Sequence, residues 1–261
     1  MTKYETLLYE ILDDGVLKIT LNRPEVFNAF NEQMKKDFLL ALKSAEMDSS
    51  TRTIVIQGSG KAFCSGQDLK ENQREKRNLK ESLEKSYNPI VKKIHTIEKP
   101  IIAMINGVAA GAGLSIALAC DMRTMSNNAK LIEVFIRIAL IPDSGSHYFL
   151  PRLVGMGKSF EYMATGRDID SLEAEKFGIV NHVFEENILE EKTLELASQL
   201  AKLPTKTIGL IKRSLNKSLS STLDEVLNYE AINQQIASQT DDYKEGVNAF
   251  IEKRKAIFKG K

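Results

Sequence analysis

Cysteine is scarce in this sequence: only Cys64 and Cys120 occur in 261 residues. Two cysteines cannot form a disulfide framework, and neither they nor the scattered His95, His147 and His182 show metal-ligand spacing. The scarcity predicts a reducing compartment, a cytoplasmic location and no metal. An excess of charge of one sign is missing too. Lysine plus arginine (36) nearly balance aspartate plus glutamate (35), leaving +1, so nothing global points to nucleic acid or an anionic membrane. Long apolar runs are also lacking. None reaches the ~18 residues of a membrane span, and MTKYETLLYE has no basic segment followed by an apolar one, so we expect neither a spanning segment nor a secretion signal. There is neither a repeat of fixed period nor a low-complexity linker. What is present is 43% hydrophobic residues, enough to bury a sizeable core in one large domain or a domain with an appendage.

Along the chain, TLLYEILDDGVLKITLNRP places alternating apolar residues on both sides of Asp13-Asp14-Gly15, a hairpin signal. NEQMKKDFLLALKSAEMD has helical spacing, and TRTIVIQGSG is a β-branched run closed by glycines. A charged stretch from Lys70 to His95 has a weak helical pattern, its first part reading as a solvated helix face. The strand KPIIAMING, a glycine-rich turn, the helix LSIALAC and the apolar DMRTMS follow. This alternation predicts an α/β fold. Beyond Gly178 come the short strand IVNHVF and amphipathic helices from Ile188 to Phe258, broken at Pro204, near Ser220 and near Asp241. We therefore expect a core over 1–195 and a helical region over 196–261.

Two glycine loops invite a nucleotide reading and fail it. NGVAAGAGLSIAL has Ile116 where the dinucleotide fingerprint needs a small residue, and RLVGMGKSF has Arg152 where a phosphate loop needs glycine. What survives is a pair of strand-to-helix turns, SGKAFCSGQDL and NGVAAGAGLS, with Gly111 and Gly113 in the second. Each can present a backbone N–H, and two such donors converging on one point would make an oxyanion hole. The run IRIALIPDSGSHYFLPRLVG poses a further question, because Asp143 ends an apolar stretch that reads as buried. Such a carboxylate is a helix cap, here for a helix starting at Ser144, or a working group.

FCSGQDL, NGVAAGAGLSIALACDMR and IPDSGSHYFLPRLVG occur in this order, and together they resemble the crotonase, or enoyl-CoA hydratase/isomerase, superfamily. The resemblance runs from ITLNRPEVFNAF to EGVNAFIEKRKAIFKGK. It implies a crotonase-like spiral of ββα units, a C-terminal helical trimerisation region, a homotrimer or a hexamer built as a dimer of trimers, and an acyl-CoA thioester as substrate. No separate cofactor is implied, since CoA belongs to the substrate. By position, the backbone N–H groups of Gln67 and Ala112 are the oxyanion donors. Arg23 and Lys61 match places that bind the phosphate end of CoA. Ala62, Asp68 and Leu69 flank the adenine and pantetheine path, with Gly111 in the second turn also counted to the substrate site. Phe250 and Lys253 match residues that reach the CoA, in many members from a neighbouring subunit.

Family hydratases activate water with two glutamates, at positions held here by Ser115 and Phe135. Glu133 lies close by, and its spacing to Arg137 suits a helical ion pair. Asp143 holds the position of the single acid in isomerase-type members, which implies an enoyl-CoA isomerase, by double-bond shift or by ring-epoxide rearrangement of the kind found in phenylacetate breakdown. A β-oxidation enoyl-CoA hydratase and a non-catalytic acyl-CoA-binding protein are the alternatives. His147, one turn on, reads as a hydrogen-bonded structural residue, and Cys64 as small-residue packing.

Overall fold

A computed structural model describes residues 4–70 and 78–261. The Asp-Gly signal is a hairpin: β1 (Leu7–Ile11) pairs antiparallel with β2 (Val16–Leu21). Asn31 caps α1 (Glu32–Met47) by accepting from the Met34 N–H, and β3 (Thr53–Gly58) and β4 (Ala62–Cys64) follow. Next comes a nearly continuous helical stretch: α2 (Leu79–Ser82), a π-turn (Leu83–Tyr87) and α3 (Asn88–Thr96). The part of the expected solvated face at 71–77 lies outside the described residues. Then come β5 (Ile101–Ile105), β6 (Val108–Ala110), α4 (Ala112–Ala119), β7 (Met122–Ser126) and β8 (Leu131–Ile132). A 3-10 turn (Val134–Ile138), α5 (Ser146–Thr165), β9 (Asp168–Ile169), α6 (Ser171–Lys176) and β10 (His182–Phe184) complete the sheets.

The strands divide between two sheets, β1-β2-β3-β5-β7-β10 and β4-β6-β8-β9. After β2 the chain repeatedly lays one strand in the large sheet, the next in the small one, and then turns into a helix. Successive strands of each sheet are parallel from β2 to β10 and from β4 to β8. This is the spiral of ββα units that the resemblance implied.

Strands β3 and β5 are continuous apolar runs because both faces are buried. Ile54, Ile56, Ile101, Ala103 and Ile105 join the main core with Phe38 and Leu42 of α1. Val55, Ile102 and Met104 face the other way, against Leu189, Ala197 and Ala201 of α7 (Leu189–Ala201). The expected boundary between 195 and 196 thus falls inside a helix packed on the sheet.

Three helices follow, α8 (Thr205–Ser218), α9 (Leu223–Ser238) and α10 (Asp241–Ile251), broken where the sequence predicts. Gly209 lets α8 approach the chain at Glu98, and Lys212 reaches inward to the Ile94 carbonyl and the Asp121 carboxylate, each at 2.8 Å. In contrast, α9 buries only Asn233, and Leu223, Leu227, Ile232, Phe250 and Ile251 of the last two helices are exposed. The tail folds back: Asp242 accepts the N–H groups of Lys259 and Gly260, and the Arg52 guanidinium holds the Phe258 carbonyl at 2.9 Å. No helix among the described residues is long and apolar enough to cross a membrane.

Helix α4 meets β4 backbone to backbone. A Cβ added at Gly113 would stand 2.3 Å from the Cys64 carbonyl oxygen and 2.7 Å from its Cβ. Neither atom belongs to a flexible side-chain end, so Gly113→Ala is expected to destabilise the fold by about 1–3 kcal/mol, as overpacking does. Chemical denaturation measures this. An unchanged midpoint would show that the contact can open without cost.

Candidate active site

The two glycine turns form one wall of a cavity. Gly66 has φ +98°, and a Cβ on it would lie 2.9 Å from the Ala110 carbonyl and 3.4 Å from the Ala112 nitrogen. The turns therefore touch through their main chains, which brings Gln67 and Ala112 to the same rim. Gln67 is bridged to Phe30, and the hydrogen bonds from Phe30 N–H to the Gly66 carbonyl and from Asp68 N–H to the Phe30 carbonyl occupy the peptide groups on either side of it. The alternation of a strand then turns the Gln67 N–H toward the opposite side. Ala112 is the first residue of α4, where N–H groups have no partner within the helix.

The cavity has a volume of about 550 Å³. Gln67, Leu69, Gly111, Ala112 and Asp143 line it, together with Leu79, Leu83 and Tyr87 from the helical stretch and Val134, Phe135, Ile138 and Leu140 from the 3-10 segment. The stretch expected to be a solvated helix face is thus partly a cavity wall. The apolar run before Asp143 is not buried either: Ile136, Ile138, Leu140 and Ile141 are exposed, because they border the cavity mouth or solvent rather than the core.

Asp143 is no helix cap. Helix α5 begins at Ser146 behind Gly145, without a side-chain cap. Ser144 (φ +51°) and Gly145 (φ +93°) make a left-handed turn that ends the apolar segment and sets Asp143 in the cavity wall. Its carboxylate accepts from the Ser144 hydroxyl at 2.8 Å. Burial raises its pKa above the ordinary aspartate value, while the Ser144 hydrogen bond and the charge of His147 oppose the rise. His147 is exposed on the first turn of α5 and makes no hydrogen bond among the described residues, contrary to its expected structural role.

Ser115 and Phe135 are the positions that the resemblance assigns to the two hydratase glutamates. Phe135 presents a ring, and Ser115 is fully buried, its hydroxyl 3.2 Å from the Gly111 carbonyl and 3.0 Å from the Asp143 carbonyl. Glu133 forms no ion pair with Arg137. The residues after it form a 3-10 turn, and Arg137 instead reaches the Gly166 carbonyl and Asp168. Glu133 is 0% exposed and accepts from the Ser146 hydroxyl at 2.9 Å, while its second oxygen has no hydrogen-bond partner among the described residues. Burial pushes this carboxyl up to about 7; the Ser146 hydrogen bond opposes the rise and the neighbouring Asp143 charge adds to it.

The expected CoA residues are more dispersed. Arg23 is held by Asp68 at 3.0 Å and the Ala29 carbonyl at 2.6 Å. Lys61 is exposed, whereas Ala62 is buried in β4 with its carbonyl taken by Asn28, so its side chain does not reach the cavity. Phe250, 86% exposed, lines a separate cavity beside α8 to α10, and Lys253 follows two residues after α10. Cys64 is buried and its thiol donates to the Asn28 carbonyl, consistent with packing. Sequence reasoning missed Tyr87, whose hydroxyl donates to the Gln67 side chain at 2.7 Å. It also missed Ser146. Nothing in their local sequence distinguishes either residue, since both partners are distant along the chain.

Two glycine turns and the Asp143 carboxylate thus line one largely apolar cavity of an α/β fold. The sequence profile of the enoyl-CoA hydratase/isomerase family matches residues 12–261, and the chain belongs to that family. It is 37% identical over 254 residues to the 1,2-epoxyphenylacetyl-CoA isomerase of Escherichia coli (strain K12), covering 96% of this chain and 97% of that one. It is 38% identical to a protein of Rhodobacter capsulatus named a probable enoyl-CoA hydratase, covering 99% of each. Among solved structures, the enoyl-CoA hydratase of Bacillus anthracis superposes with a TM-score of 0.94 at 31% identity, covering 98% of this chain and all of that one.

Glu133 should make stability depend on pH. With its carboxyl raised, the folded state binds a proton that the unfolded chain has released, so stability falls as pH rises from about 4.5 to 7. At about 1.4 kcal/mol per pKa unit the loss is on the order of 3 kcal/mol. Glu133→Gln should flatten this part of the stability curve; equal slopes in wild type and variant would place the titration elsewhere.

Proposed function

We propose that the protein is an enoyl-CoA isomerase that works through one acid, Asp143. The reading rests on a single arrangement: Asp143 shares an apolar cavity with the Gln67 and Ala112 turns, while Ser115 and Phe135 supply no carboxylate for activating water. The thioester carbonyl accepts hydrogen bonds from the N–H groups of Gln67 and Ala112, with the positive end of α4 behind the second. Asp143 takes a proton from C2, the electron pair delocalises onto the thioester oxygen, and the same carboxyl returns the proton at C4. Partial burial strengthens the carboxylate as a base and makes the protonated form a usable acid. A proton shift leaves the substrate's oxidation state unchanged, so no separate cofactor is needed. A ring epoxide of the kind named for the Escherichia coli relative fits the same reading. Among the residues assigned to CoA, Arg23 would exchange Asp68 for a phosphate, with Lys61 beside it.

Asp143→Asn keeps the size of the side chain and removes the base. Migration of the double bond in a 3-enoyl-CoA should fall by roughly 10²–10⁴-fold while thioester binding persists. Assays with crotonyl-CoA, a 3-enoyl-CoA and 1,2-epoxyphenylacetyl-CoA separate isomerase from hydratase, and inactivity on all three would leave a non-catalytic binder. Full turnover by Asp143→Asn on every substrate would overturn the single-acid mechanism.

The exposed apolar faces of α9 and α10 support a homotrimer, paired into a hexamer, in which Phe250 and Lys253 approach a neighbour's CoA. Light scattering should give three or six times 29.2 kDa. A monomer at micromolar concentration would refute this assembly.

A further inference from the structure

Behind Asp143 lies a carboxylate that the single-acid mechanism does not use. Glu133 is sealed from solvent, and a chain of hydroxyls leads from it to the site. Ser146 Oγ lies 2.9 Å from Glu133 Oε1 and 2.9 Å from Ser115 Oγ. Ser115 Oγ in turn is within hydrogen-bond reach of the carbonyls of Gly111 and Asp143. The Gly111 carbonyl belongs to the same peptide group as the Ala112 N–H. The Asp143 carbonyl also accepts from the Ser146 N–H at 3.1 Å, which fixes the start of the turn into α5. One hydroxyl therefore touches both backbone segments from which the site is built.

Each hydroxyl has one proton to give, and this makes the chain directional. With Glu133 protonated, the acid donates to Ser146, Ser146 donates to Ser115, and the Ser115 proton is committed to the Gly111 or Asp143 carbonyl. With Glu133 ionised, Ser146 turns its proton toward the carboxylate and becomes an acceptor, drawing the Ser115 proton away from those carbonyls. We propose that Glu133 is a positioning residue: by giving or withholding a proton at Ser146, it decides whether Ser115 supports the peptide groups that carry the oxyanion donor and the acid. A hydrogen bond at the Gly111 carbonyl polarises its peptide group and strengthens the Ala112 N–H as a donor. This inference rests on the isomerase reading of Asp143.

The charged groups around the pair are few. Asp143 faces Glu133 from the segment before α5, and His147 faces Asp143 from α5. Lys80 of α2 and Glu84 of the π-turn stand on the far wall of the cavity, and Arg137, on Glu133's own segment, is bound away to Gly166 and Asp168. None supplies a cation to Glu133, whose carboxyl is raised to about 7, so the switch falls within the range where the enzyme can be assayed.

Two measurements on the intact protein test this. Infrared difference spectra across pH should show a protonated carboxyl that persists toward pH 7 and is missing in Glu133→Gln. The turnover number for double-bond migration should fall as the pH rises through the same inflection. Glu133→Gln should abolish that inflection, and Ser115→Ala should abolish it while keeping the infrared signal, because the link is cut but the proton remains. An inflection that survives in either variant, or a carboxyl signal unchanged by Glu133→Gln, would overturn the proposal. Asp143→Asn keeps the two readings apart. If it retains full turnover, the isomerase mechanism fails and this role with it; if it is inactive while Glu133→Gln keeps the wild-type pH profile, only the role of Glu133 fails.

Discussion

Backbone against backbone is the contact on which the rest of this structure depends. Gly113 leaves no room for a side chain over Cys64, and Gly66 leaves almost none over Ala110. Because no side chain intervenes, β4 and β6 can each deliver a turn to one rim, and both turns line the same cavity. Close approach of main chains also limits what the site can be made from. Peptide groups are available at the rim whatever the side chains are, so a fold built this way can keep its main-chain wall and vary the side chains opposite.

That variation is visible here. The positions that the resemblance assigns to hydratase glutamates hold a phenyl ring and a buried hydroxyl, and carboxylates stand instead at Asp143 and Glu133. The two carboxyls differ in surroundings: Asp143 meets the cavity and feels His147, whereas Glu133 is fully enclosed with a single hydroxyl donor. Environment thus separates two chemically similar acids, leaving the one in the cavity to ionise first.

Most of the fold was legible in the sequence, because its periodicities report local burial. The Asp-Gly hairpin, the strands in TRTIVIQGSG and KPIIAMING and the breaks at Pro204, near Ser220 and near Asp241 all correspond to observed elements. The glycine turns were legible for a different reason: a main-chain approach leaves glycine as its trace. Hidden features depended on contacts between distant segments. An exposed apolar run and a buried one look alike in a string of letters, so Ile136 to Ile141 suggested core where the chain borders a cavity. Likewise Glu133 and Arg137 have helical ion-pair spacing, but a 3-10 turn follows Glu133, and no local signal announces that Ser146, thirteen residues on, will claim the acid.

The return of the tail to Arg52 bears on how the chain is made. Its guanidinium meets Phe258 across 206 residues, and also holds the Leu203 carbonyl and the Thr205 hydroxyl. The hairpin and the early ββα units involve near neighbours and can form while the ribosome is still working. The cleft at Arg52 cannot close until residues 203 to 258 have been made, so this contact forms later than the pairing of the first parallel strands. In that sense the tail acts as a latch, engaged only after the body it fastens has been assembled.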